Sequence, residues 1–312
     1  MCGMHDAPVI SPDKKDSSDD DFRNLPKVLL RAEVDGTAGG DAHELETAVQ
    51  RRVQALADDN VIYLELHVLP TAQGFSDPAV AADALVRGLR AVEGIDARGI
   101  LIIDKDDAAD TAQDIARVAK ETDGIVGLGV AERDLGEVTA AIETARHAFL
   151  PVTVDVGIDK STPHIAEAVR AGADRLGWGT NLIDDFTADI EGIQPGKVSR
   201  WVRDRHIPVE TVPLGTEDLA DHPLPLLQQL GFTCNVGVGS KGELTEVFSA
   251  LHETLGYGLE EFFDLTVKAI ENSFLTEPER QHLIETAVLP AYEELSDVEF
   301  AEDAADGAEK GD

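Results

Sequence analysis

Along the chain, short runs of apolar and β-branched residues alternate with longer runs whose apolar positions recur three and four apart. The first pattern is that of a strand buried on both faces, and the second that of a helix with one buried stripe. The strands predicted in this way are 27–34, 61–69, 99–104, 124–130, 150–156, 174–177, 207–212 and 232–236. A helix is predicted after each: 41–58, 77–92, 108–121, 135–148, 162–171, 196–205, 223–230 and 242–255. Capping signals mark some starts, among them Thr162-Pro163 and the capping-box spacing from Ser240 to Glu243. Eight strand-then-helix units with no linker between them predict an α/β chain folded as a closed (β/α)8 TIM barrel, with an open doubly wound sheet as the alternative. Two further helices, 259–274 and 277–295, follow the eighth unit. Residues 1–24 and 296–312 lack any apolar period and are rich in acidic and small residues, so the barrel is predicted over 25–295 between disordered ends.

Composition narrows the class of function. The 312 residues carry 61 Asp and Glu against 26 Lys and Arg, a net charge of −35. Such a body repels phosphate backbones and anionic lipid, which argues against nucleic acid or a membrane surface as partner. The only cysteines are Cys2 and Cys234, which form neither a disulfide framework nor a zinc-ligand spacing and fit a reducing cytoplasm. The chain offers no apolar signal region near its start and no run of roughly 20 apolar residues, so neither export nor membrane insertion is expected.

In a barrel of this kind the chemistry gathers at the C-terminal ends of the strands. There the first strand places Arg31, Glu33 and Asp35 on one face, and the second places Glu65 and His67 on one face. Asp155 closes the fifth strand, and Trp178 follows the sixth. Charges on buried strand faces are costly unless they pair with one another or bind something.

From Leu25 to about Leu295 the chain resembles the adenosine deaminase family of zinc-dependent barrel hydrolases. Leu25-Pro26-Lys27-Val28 with Asp35-Gly36 is similar to the family's first strand, and Tyr63-Leu64-Glu65 with Pro70 to its Y-x-E-x-R-x-x-P strand. Arg175-Leu176-Gly177 resembles R-[VI]-G-H-G, His222-Pro223-Leu224 resembles the H-P-[LI] helix, and Asn272-Ser273-Phe274 falls in the C-terminal N-x-[AV]-x-x-S-F motif. The resemblance implies two histidine ligands at positions that here hold Arg31 and Glu33. It implies a third histidine at Asp155 and the catalytic glutamate at Ile158, the motif histidine at Trp178 and the metal-binding aspartate at Gly237. A glycine that contacts the base corresponds to Glu132, and the span from Gly36 to Tyr63 lacks the family's covering insertion.

The expectation is therefore an adenosine-deaminase-like barrel without zinc or other cofactor and without the family's catalysis, kept for binding a purine-like molecule, for regulation or for a protein partner. The alternative is a hydrolase or deaminase of a purine nucleoside with altered site chemistry. Arg31, Glu33 and Asp155 are either a pocket for a charged ligand or an internal ion cluster, with Arg31 in the vacated metal position. Glu65 and His67 are a proton-transfer pair or structural hydrogen-bond partners. Trp178 stacks on a planar ligand or plugs the mouth against Ile158. Gly239, Ser240 and Lys241 form an anion site at a helix start, or a turn capped by Ser240.

Overall fold

The computed structural model describes residues 22–157, 162–190, 192–214 and 218–295. The barrel strands are β1 (Lys27–Glu33), β2 (Val61–Val68), β3 (Asp96–Ile103), β4 (Ile125–Val130), β5 (Val152–Asp155), β6 (Arg175–Gly177), β7 (Val209–Thr211) and β8 (Cys234–Val236). Between and after them run α1 (Ala42–Asp58), α2 (Pro78–Arg90), α3 (Ala109–Glu121), α4 (Thr139–His147), α5 (Thr162–Ala171), α6 (Lys197–Asp204), α7 (Leu224–Gln229) and α8 (Leu244–Leu255). All eight strands are parallel and pair in chain order. The residues after β8 then meet β1: the Val238 amide donates to the Arg31 carbonyl at 3.2 Å, and the Glu33 amide to the Gly239 carbonyl at 3.5 Å. The sheet therefore closes on itself as a TIM barrel.

Local chemistry explains the clearest helix starts. Asp41 caps α1 by accepting from the amides of His43 and Glu44, and Asp77 caps α2 ahead of Pro78 in the first turn. Apolar stripes such as Leu45, Val49, Val53 and Leu56 of α1 are fully buried against the sheet. Of the predicted caps, the side chain of Thr162 lies outside the described residues. The Ser240–Glu243 box is displaced by three residues: Glu243 is the cap of α8 and Glu246 its reciprocal partner.

The seam between the first two loops is tightly fastened. Buried Gln73 accepts from the Ala38 amide at 2.8 Å and donates to the Gly36 carbonyl at 3.0 Å. Gly40 and Gly74, at φ 83° and 88°, approach so closely that a Cβ on Gly74 would stand 2.7 Å from the Gly40 nitrogen. Only glycine fits there.

Several elements depart from the predicted ones. Among the described residues packing reaches back to Phe22, whose ring meets that of Phe262 at 5.1 Å, three residues before the predicted boundary. After β6 the chain forms a 3-10 helix, Gly179–Asp185, and an antiparallel hairpin of Phe186–Asp189 with Gly192–Pro195. Both are too short to leave a period in the sequence. The ninth helix, α9 (Leu259–Glu271), ends before Phe274, which turns under the barrel. Its ring lies 4.0 Å from the Arg175 guanidinium and takes the space that a side chain at Gly127 would need. The next helix, α10 (Glu277–Leu283), continues through a π-helical turn, Ile284–Val288. Of the predicted disordered ends, 1–24 and 296–312, residues 1–21 and 296–312 lie outside the described residues. Among the described residues no helix is long and apolar enough to cross a membrane. Cys234 is buried and unbridged, and burial pushes its thiol pKa up to about 12.

Candidate functional site at the barrel mouth

The interior of the barrel is built around two arginines. Arg31 on β1 is 3 % exposed; its Nε donates to Glu210 on β7 at 3.0 Å, and its Nη2 donates to Asp155 at the end of β5. Glu33 stands 3.7 Å away. Burial works against the charge of Arg31, but Asp155 and Glu210, with Glu33 beyond them, more than offset it and raise its pKa. Arg175 on β6 is fully buried below and bonds Glu65 at 2.6 Å, Glu210 at 3.3 Å and the Asn272 carbonyl at 2.8 Å. Glu210 thus joins the two arginines.

Two buried carboxylates, Glu65 and Glu210, and the half-buried Asp155 share these two cations. The imbalance falls on Asp155, the one nearest the mouth. Burial pushes its carboxyl up to about 6, against the pull of Arg31 and with further push from Glu210. Between about pH 4 and pH 6 the folded chain then holds a proton that the unfolded chain releases, so this group's contribution to stability falls as pH rises through that window. We expect wild type to lose about 1 kcal/mol between pH 5 and pH 7 through Asp155, an increment that Asp155→Asn abolishes. Urea unfolding of both proteins at the two pH values measures it, and equal slopes would refute it.

Glu65 and His67 are not at the mouth. Glu65 is fully buried, accepting from Tyr63 at 2.9 Å and from the Phe274 amide at 2.6 Å in addition to Arg175. Its role is to anchor the C-terminal segment. His67 is also buried and bonds the Leu30 carbonyl through Nε2 at 3.1 Å. Burial, with Arg31 and Arg175 nearby, holds it well below the usual histidine pKa and therefore neutral. The proton-transfer reading of this pair is corrected accordingly: an ion-paired carboxylate and a neutral imidazole share the interior, and no hydrogen bond joins them among the described residues.

The remaining candidates surround the opening. Asp35 is exposed and stands 3.4 Å from Lys241. Glu132 packs over the left-handed turn at Gly157. The anion site proposed for Gly239, Ser240 and Lys241 lacks its main donors, because the Leu244 and Thr245 amides at the start of α8 are taken by buried Asp59 at 2.7 and 3.2 Å. Trp178 is half-buried at φ 57° and ψ 35°, with the Arg31 guanidinium 6.0 Å from its ring centre. It walls two clefts. One, of about 240 Å³, lies between the segments after β6 and β7, and the other, of about 440 Å³, runs past Gly237 to Val247. Ile158, its expected packing partner, lies outside the described residues.

Glu210 was missed in the sequence, although a lone acid inside the apolar run 207–212 marks it. Arg175 was read only as part of a motif.

The sequence profile of the adenosine deaminase family matches residues 41–288. The chain belongs to the adenosine deaminase family. It is 28% identical over 276 residues to an adenosine deaminase of Mycolicibacterium gilvum, covering 80% of this chain and 76% of that one. It is 29% identical over 279 residues to that of Mycobacteroides abscessus, with the same coverage. Among solved structures, a zinc-bound amidohydrolase from Burkholderia ambifaria superposes with a TM-score of 0.75 at 19% identity, over 91% of this chain and 94% of that one. The N6-methyl-AMP deaminase of Arabidopsis thaliana gives 0.71 at 18% identity, over 85% and 96%. These structural likenesses establish the shared barrel.

Membership of the adenosine deaminase family implies zinc. The positions that resemble the family's ligand motifs hold a cation, Arg31, a residue without a side chain, Gly237, and two carboxylates, Glu33 and Asp155, both engaged with Arg31. A Cβ at Gly237 would lie 3.2 Å from both the Cβ and the carbonyl oxygen of Arg31, so the strands are too close there for a longer residue without a shift. Among the described residues no group of three or more His, Cys, Asp or Glu is placed to hold a metal ion.

Proposed function

We propose that this member of the adenosine deaminase family binds a purine-like small molecule at the barrel mouth and does not carry out zinc-dependent deamination. The observation that carries the reading is the engagement of Arg31 with Asp155 and Glu33, at positions where the family motif places ligands, and with Glu210 on β7. An internal cation there does for the carboxylates what a metal would do, but it presents no open coordination position at which water is activated. The purine-like ligand is supported by the adenosine deaminase relatives and by structural neighbours described as complexes with IMP and GMP.

Purified protein is expected to carry no stoichiometric zinc by elemental analysis and to leave adenosine unconverted. One tightly held zinc per chain, or turnover that a chelator abolishes, would overturn the proposal. A second reading, an enzyme of altered chemistry, draws on one observation: Asp155, with its carboxyl pushed up to about 6, is an acid–base group close to solvent. Deamination that survives the chelator and is lost in Asp155→Asn would decide for it.

A further inference from the structure

The smaller of the two clefts has its own chemistry. Its walls include Trp178, Asn181 and Asp184 after β6, and Thr211, Asp221 and His222 at and after β7. His222 accepts from the Leu224 amide at Nδ1, 3.2 Å away, which puts its proton on Nε2. That nitrogen lies 2.9 Å from the Thr211 hydroxyl and donates to it. The Thr211 proton is then directed to a further acceptor. Asp184 and Asp221 are exposed at the rim and can accept from a ligand. Among its described lining residues there is no lysine or arginine.

Trp178 supplies the flat surface. A bulky aromatic residue in the left-handed region is rare and strained, and such residues gather at ligand sites. Here the conformation sets the indole as a wall of the cleft, beside the Arg31 guanidinium. Stacking on an indole favours planar heterocycles of any sequence of ring atoms.

We infer that this cleft binds an uncharged or cationic planar heterocycle that stacks on Trp178, accepts from the Thr211 hydroxyl at a ring atom and donates through N–H or O–H groups to Asp184 and Asp221, and that it rejects phosphorylated forms. The inference rests on the proposed purine binding and names its place and ligand class. It separates this chain from the neighbours seen with IMP and GMP, because among the described lining residues a phosphate meets two carboxylates and no lysine or arginine.

The test is a titration of the Trp201→Phe variant, in which Trp178 is the only tryptophan, with adenosine and with AMP. Adenosine is expected to quench Trp178, and AMP to bind at least about tenfold more weakly. Asp184→Asn/Asp221→Asn should narrow that ratio, and Thr211→Val should weaken adenosine binding about fivefold, the scale of one lost hydrogen bond. Glu246→Gln, in the larger cleft, should change neither. Equal affinity for AMP, or sensitivity to Glu246→Gln but not to the Thr211 and Asp variants, overturns the inference while leaving purine binding in place. Binding of neither compound overturns both readings.

Discussion

Arg175→Met is expected to lower the free energy of unfolding by about 4 kcal/mol, measured by urea denaturation at pH 7. The magnitude is that of removing one partner from a buried ion pair and leaving the other charged. Arg175 is fully buried and carries the charge balance of Glu65 and Glu210, while also bonding the Asn272 carbonyl that leads into Phe274. Methionine fills much of the volume but leaves Glu65 without a cation and Glu210 with Arg31 alone. A loss below about 1 kcal/mol would mean that water reaches the barrel floor. Arg175→Met combined with Glu65→Leu should recover part of the loss, since replacing a buried pair by apolar residues costs far less than breaking it.

The second large effect belongs to Arg31→Met, for which a loss of about 3 kcal/mol is expected. It is smaller because Glu33 is 38% exposed and Asp155 18% exposed, so both regain some solvent when the cation is gone. Because Glu210 lies between the two arginines, the double variant should not show the sum of the two losses. Once Arg175 has been replaced, Glu210 depends on Arg31 alone, and the second substitution should cost more than it does in wild type. Strict additivity would show that Glu210 does not connect them.

Much of the barrel was legible because strand and helix periods differ and because eight units recur without interruption. The order of strands and the two added helices follow from that pattern. The hairpin after β6 and the 3-10 helix before it carry no such period, and their geometry depends on contacts such as Asp185 accepting from the Val198 and Ser199 amides, 2.9 Å each. At the site, the gathering of Arg31, Glu33 and Asp155 was readable from strand alternation and motif position. The third carboxylate was not, since Glu210 comes from a strand nearly 180 residues away whose register becomes known only when the sheet closes. Glu65 and His67 share a face as alternation requires, yet alternation does not say how far down the barrel they sit. Their neighbours, Arg175 and Phe274 for one and Leu30 for the other, decide that they serve the interior.

The fastening of the first two loops by Gln73, Gly40 and Gly74 has a kinetic consequence. A covering segment that must open and close adds its own step to every association and release, and that step often sets the rate of exchange. Here the chain after β1 is short and bonded down onto the chain after β2, with backbone so close that neither loop can lift without breaking the contacts of the other. On this side of the opening a ligand meets a fixed wall, and its residence time is set by the strength of its own contacts.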